Sequence, residues 1–335
     1  LLMLAALTSK RGLNLPKGTK VLTPIAGFPT TINPILQLGF TPVFVDIELE
    51  SLNLDLDQVE QKLKEDPEIK IITFAHVLGN PPNMRWVMEL VNKYDLILLE
   101  DCCDALGSTY DGKPLGSFGE MASCSFYPAH HICTIEGGMV SSDIKEIIDL
   151  ARSFAWWGRG CYCVGQQNLL SNGVCGRRFD TWLTGYDDIV DHKYVFSNMG
   201  YNLKPLDLQG AVGSVQLLKF DEIHHIRRQN KEKIQRIVER IPGVRVVNEK
   251  SNAETSWFGV PIICETKELK RSLVSYFEEN KIQTRNYFAG NILLHPGYKH
   301  LDDASKYPEA NQVLNKVFFL GCSPTIKDAM INYID

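Results

Sequence analysis

The chain has 335 residues, a formal net charge of -5 and a pI near 5.9. That length accommodates one large and one smaller globular unit, each with its own core. The acidic balance, with no Lys/Arg-rich run and no basic amphipathic helix, argues against nucleic acid or a membrane surface as partner, and no apolar stretch approaches the roughly 20 residues that span a bilayer.

Residues 1–7, Leu-Leu-Met-Leu-Ala-Ala-Leu, read as the middle of a helix with no capping residue before it. They lack the charged start and small-residue cleavage site of a signal peptide, so the sequence is expected to be a cytoplasmic protein without its natural N-terminus. Gly39 and Pro42 punctuate a helix-to-strand turn. Strands are predicted at 43–45, 69–74 and 96–99, with helices over 57–64 and 84–93 between them, the second capped by Asn83. That alternation predicts a parallel sheet flanked by helices. Further strands are expected at 122–126 and 139–141. Segment 158–186, rich in Gly, Asn, Arg and aromatics, is long for an idle loop.

From 205 to 241 the pattern is helical, with Leu208, Val212, Val215 and Leu218 on one face, and it leads into a second unit. Pro242-Gly243 breaks it. Strands at 244–247, 258–263 and 283–286 around a helix over 267–280 make a smaller α/β unit, which divides the chain into a large domain over 1–220 and a small one over 221–335.

The apolar run 96–99 followed by Glu100-Asp101 places a carboxylate at the C-terminal end of a buried parallel strand, where open α/β sheets bind ligands. A helix N-cap is the alternative for Asp101. Downstream lies Ser125-Phe126-Tyr127-Pro128-Ala129-His130-His131, followed by Glu136-Gly137-Gly138. This run resembles the cofactor loop of the DegT/DnrJ/EryC1/StrS sugar aminotransferase family, in which Ser-Phe-x-x-x-Lys precedes a Glu-Gly-Gly turn and the Lys binds pyridoxal phosphate. His130 stands in place of that Lys. An amine can hold the cofactor covalently and return nitrogen to a product, whereas an imidazole can only move protons.

The resemblance implies a fold-type-I α/β architecture, with a large mixed or parallel sheet domain and a smaller C-terminal α/β domain. It implies pyridoxamine or pyridoxal 5'-phosphate as cofactor. Asp101 is then the partner of the ring nitrogen, since a protonated pyridinium is the electron sink. Phe28, in Gly27-Phe28-Pro29-Thr30-Thr31, is the stacking aromatic, although an isolated Phe is more often core. Ser125 donates to the phosphate and Asp104 lies near the ring hydroxyl. Asn202, in Gly200-Tyr201-Asn202, reaches the phosphate of the neighbouring subunit and so implies a homodimer; a cap before Pro205 is the alternative. His76, in the loop 76–81, and Arg285, beside Ala289-Gly290-Asn291, face the nucleotide-sugar substrate, a structural salt bridge being the alternative for Arg285. His131 reads as a structural histidine. A Gly/Ser-rich phosphate turn is expected upstream of residue 1.

Four cysteines, Cys103, Cys161, Cys163 and Cys175, are separated by 57, one and eleven residues. The C-x-C pair is too tight for a zinc knuckle, and four thiolates suit an iron–sulfur cluster. The arrangement resembles that of the CDP-4-keto-6-deoxyglucose 3-dehydrases, which implies a [2Fe-2S] cluster beside the Pro-Ala-His-His loop. The last gap departs from that pattern, with 165–173 reading as an insertion before Cys175. Cys124, Cys133, Cys264 and Cys322 read as small buried hydrophobes, and Cys102 as a spare thiol.

The expected activity is removal of the C3 hydroxyl from a nucleotide-linked 4-keto-6-deoxyhexose, with His130 as base. A separate NADH-dependent flavin and iron–sulfur reductase would supply electrons, since the chain has no G-x-G-x-x-G dinucleotide fingerprint. The rivals are a cluster-free colitose-type dehydratase, a sugar aminotransferase relative and a non-catalytic sugar-nucleotide-binding relic.

Overall fold

The computed structural model describes residues 1–161, 178–180 and 182–335. The chain opens with α1 (Leu2–Thr8), β1 (Lys20–Pro24), α2 (Pro29–Gln37) and β2 (Thr41–Val45). It continues through α3 (Leu56–Glu65), β3 (Ile69–Ala75), α4 (Met84–Tyr94), β4 (Ile97–Asp101), β5 (Met121–Ser125), β6 (Gly138–Ser141) and α5 (Lys145–Ala155). The six strands form one sheet in the order β2-β1-β3-β4-β5-β6, parallel except for β6.

Helices on both faces explain why the inner strands are apolar throughout rather than alternating. On one side Leu22, Ile72, Phe74 and Leu98 pack with Val59, Leu63, Val87 and Leu90 of α3 and α4. On the other, Val21, Ile71 and Leu99 meet Leu4 and Leu7 of α1, and Ala6 packs on Leu150 and Ala151 of α5. Successive strands run outward in opposite directions from the gap between β1 and β3. At such a reversal the loops at the carboxyl ends part and leave a crevice.

Beyond it, α6 (Asp207–Leu217) and α7 (Phe220–Val238) replace the single helix expected over 205–241. The chain turns at Leu218 and Lys219, and α6 has no buried residue. The C-terminal part holds β7 (Val244–Val246), β8 (Gly259–Cys264), α8 (Lys267–Glu279), β9 (Thr284–Asn286), α9 (Pro308–Lys316), β10 (Val317–Gly321) and α10 (Asp328–Ile334). Its sheet is antiparallel, in the order β9-β10-β8-β7. A small three-stranded sheet ties the two parts together, with Ala253–Glu254 pairing with Thr109–Tyr110.

Candidate active site

A cleft of about 460 Å³ opens at the β1/β3 reversal, and loops from both parts of the chain line it. The turn after β1 contributes Phe28, Thr30 and Thr31. Pro29 at the first position of α2 has the φ a helix start needs and no N–H to leave unpaired. Phe28 just before it is held out, 51% exposed, with its ring edge-on to Phe288 at 5.8 Å.

Because side chains alternate along a strand, the adjacent carboxylates at the end of β4 have different surroundings. Asp101 faces the cleft. Its Oδ2 accepts from Thr31 Oγ1 at 2.8 Å, and its Oδ1 accepts from Ser123 Oγ and from the Cys103 N–H, both at 3.2 Å. Three donors fix the carboxylate. Glu100 points into the protein and is fully buried, accepting from the N–H groups of Gly116, Phe118 and Gly119 at 2.9, 2.7 and 2.8 Å. Burial pushes its carboxyl up, but the bond to His76 and these backbone donors outweigh that and hold it below the usual carboxylate range.

His76 is the correction to the expected substrate contacts. It is fully buried, with Nε2 3.0 Å from Glu100 Oε2, so its ring braces the strand ends and Ala75 and Val77 line the cleft in its stead. Arg285 on β9 is exposed, donates to the Thr284 carbonyl, and is not among the lining residues. Asn202 is exposed beside Lys204, outside the cleft of a single chain.

Ser125 at the end of β5 and Tyr127, Ala129 and His130 in the loop after it line the cleft. Ser125 Oγ accepts from the Tyr127 N–H at 3.2 Å, and the His130 N–H closes a turn on the Tyr127 carbonyl at 2.9 Å. His130 Nδ1 lies 3.5 Å from Asp104 Oδ1. Burial pulls the His130 imidazole down to about 4, against the nearby Asp101 charge that favours protonation. The imidazole is therefore neutral at physiological pH. Burial also lifts the Asp104 carboxyl to about 7, despite the Leu78 N–H that donates to its Oδ2 at 3.1 Å. His131 is buried, with Nε2 2.8 Å from the Ser256 carbonyl, and desolvation pulls it down to about 3.

Cys103 lines the cleft, its Sγ 4.0 Å from Ser123 Oγ, and burial followed by the Asp101 charge pushes the thiol far above its ordinary value. Cys161 is buried and disulfide-bonded. Cys163 and Cys175 lie outside the described residues. Cys102, Cys124, Cys264 and Cys322 are buried thiols and Cys133 is half-buried. Sequence reasoning did not identify Thr31 and Ser123, which orient Asp101, although Thr31 sits in the same turn as Phe28. It also missed Phe258 and Phe288, which close the cleft from the C-terminal part and carry no local signature.

The model of the DegT/DnrJ/EryC1/StrS aminotransferase family matches residues 2–334. The chain is 40% identical to the lipopolysaccharide biosynthesis protein RfbH of Salmonella typhimurium, over 100% of this chain and 77% of that one. It is 38% identical to the dTDP-4-dehydro-2,6-dideoxy-D-glucose 3-dehydratase of Saccharopolyspora spinosa, over 100% of this chain and 72% of the relative. Among solved structures, the E. coli GDP-4-keto-6-deoxy-D-mannose-3-dehydratase with bound hydrated PLP superposes with a TM-score of 0.84 at 28% identity, covering 99% of this chain and 83% of that one. A match along nearly the whole chain, on a fold whose crevice holds the strand-end aspartate, places this protein in the DegT/DnrJ/EryC1/StrS aminotransferase family.

Proposed function

We propose that the chain is a pyridoxamine 5'-phosphate-dependent dehydratase that removes the C3 hydroxyl of a nucleotide-linked 4-keto-6-deoxyhexose. The observation that carries this is His130 facing Asp101 in a cleft with no lysine among its described lining residues. The names of the relatives above support the substrate class.

The cleft suits the cofactor. Phe28 offers an uncovered ring face at its wall, Asp101 is an anchored carboxylate for a ring nitrogen, and Ser125 presents a hydroxyl at the strand end for phosphate. Bound there, pyridoxamine phosphate supplies an amine for the sugar ketone and a ring that accepts electron density when the adjacent carbon loses a proton. Asp101 keeps the ring nitrogen protonated. His130, neutral and on a short turn, takes the proton on its imidazole, whose Nδ1 lies 3.5 Å from Asp104. Phe258 and Phe288 keep water from that side. Residues 1–220 form the cofactor domain in this reading and 221–335 the small domain.

The fuller reaction uses a [2Fe-2S] cluster on Cys103, Cys161, Cys163 and Cys175, Cys161 being then a reduced thiolate, and a separate NADH-dependent flavin and iron–sulfur reductase. Two measurements test the two levels. His130→Asn should abolish solvent-hydrogen exchange into the pyridoxamine methylene in the presence of a 4-keto-6-deoxyhexose nucleotide, and persistence of exchange would overturn the assignment. Anaerobic reconstitution should yield two irons per chain, whereas iron-free protein that still completes the reaction would show a cluster-free dehydratase.

A further inference from the structure

Helix α7 brings to the back of the cleft a buried cation that forms no close ion pair among the described residues, the Asp104 carboxyl acting on it only at longer range. Arg227 is 3% exposed, and among the described residues no carboxylate lies within ion-pair distance of its guanidinium. A buried charge needs its donors used. Arg227 Nη1 donates to the carbonyls of Trp257 and Phe258, both at 3.1 Å. The next residue, Arg228, ion-paired to Glu249 at 2.9 Å, donates to the Thr255 carbonyl at 2.8 Å. His131 covers the one between, at Ser256. A carbonyl can only accept, so His131 is the Nε2–H tautomer.

All four carbonyls of 255–258 are thus held by cationic or imidazole N–H groups. The segment is also tied through its own N–H groups, Ser256 to Ser108 Oγ at 2.8 Å and Phe258 to the Leu78 carbonyl at 3.0 Å. It has no room to shift toward the cleft floor. Gly79, at φ +89°, runs against it so closely that a Cβ there would lie 2.5 Å from the Ser256 oxygen. The segment ends in the Phe258 ring, whose centre lies 5.2 Å from that of His130.

We infer that Arg227 is a positioning residue: by taking the carbonyls of Trp257 and Phe258 it sets the Phe258 ring as the wall that aligns the His130 imidazole. The other groups acting on that imidazole are Asp101 at the end of β4, Cys103 and Asp104 from the loop after it, Tyr127 and His131 from its own loop, and the Arg227 charge itself, which disfavours its protonation. None of them directly fixes the ring face that Phe258 covers. A guanidinium suits the task because it presents several N–H groups in one plane, which an ammonium cannot.

The inference rests on His130 being the base, and its test is built so that the two can fail separately. In the unliganded full chain, labelled with ¹³C at the histidine rings, the His130 signal, assigned by its loss in His130→Asn, should carry the ring-current shift of a neighbouring aromatic face. Arg227→Met and Phe258→Leu should each reduce that shift to what the Tyr127 ring leaves, and Arg227→Lys should restore only part of the loss. With cofactor and sugar nucleotide, methylene exchange should fall about a hundredfold in Arg227→Met, the scale of a small misplacement of a reacting group, with KM little changed. If Arg227→Met does not fold, Phe258→Leu decides, because it leaves the backbone carbonyls and their arginine in place. A folded Arg227→Met, or a Phe258→Leu, with the parental His130 shift and parental exchange overturns the inference. If His130→Asn keeps its exchange, the assignment of the base fails while the ring-current result still decides what Arg227 does.

Discussion

At the scale of single residues, environment separates like groups. Glu100 and Asp101 are neighbours, yet one is a buried anchor for the 116–119 turn and the other a cleft carboxylate on side-chain and backbone donors. The same contrast divides His130, in the cleft, from His131, behind it. Asp104 gives a pH prediction. Its folded value of about 7 lies above the ordinary 3.8, so it is an acid that folding prefers protonated. Its contribution is fully present below pH 4 and is lost as pH rises to about 7. Asp104→Asn should therefore match the parent in denaturant midpoint near pH 4 and exceed it increasingly up to pH 7, then run parallel. His130 and His131, depressed to about 4 and about 3, act the other way: their contribution is present above about 6.5 and lost as pH falls through those values. That term is shared by both proteins and largely cancels in the comparison. Equal midpoints at pH 8 would show that the carboxyl is not held neutral.

At the scale of elements, the sequence was most legible where chemistry and punctuation coincide. The strand-end acid could be placed in advance from where open sheets bind ligands and the loop after β5 from its resemblance to a known cofactor loop, and the structure brings both to one cleft. Asn83 was legible as a cap, and its Oδ1 accepts from the Trp86 N–H at 3.3 Å and from the Tyr110 hydroxyl at 3.0 Å. Asn83→Ala should cost about 1 kcal/mol by chemical denaturation, more than a neutral surface change and without effect on the cleft. A loss indistinguishable from zero would assign the start of α4 to packing alone. What escaped had no such signals. Lys20–Pro24 ends in Pro, which demotes a strand reading, and Val317–Gly321 is a short apolar run that periodicity cannot assign. The break between α6 and α7 falls at Leu218 and Lys219 with no Gly or Pro to announce it. His76 misled because a loop motif fixes position along the chain and not the direction in which a side chain turns.

At the scale of the whole molecule, the apolar face of α6 is the outstanding feature. Leu208 and Val215, with Leu218 just past its end on the same side by spacing, are exposed, Leu218 by 87%, and the helix buries none of its residues in a single chain. Exposed apolar side chains on one side of a helix are expected of an association surface. It stands beside Asn202, expected to serve the cofactor phosphate of a neighbouring subunit and placed outside its own cleft. Dimerisation and cofactor binding should then be coupled. Leu208→Glu combined with Leu218→Glu puts charges on the face without touching the cleft, and should convert a dimer into a monomer by sedimentation velocity. Because the monomer lacks the partner's Asn202, it should also bind pyridoxamine phosphate about tenfold more weakly, the scale of one hydrogen bond to a charged group. Asn202→Ala should weaken the cofactor to a similar degree while remaining dimeric. Mixing the monomeric double variant with Asn202→Ala should give no recovery, since the charged face cannot pair. A monomer that binds the cofactor as tightly as the parent would show that each cleft is complete within one chain and that α6 serves assembly alone.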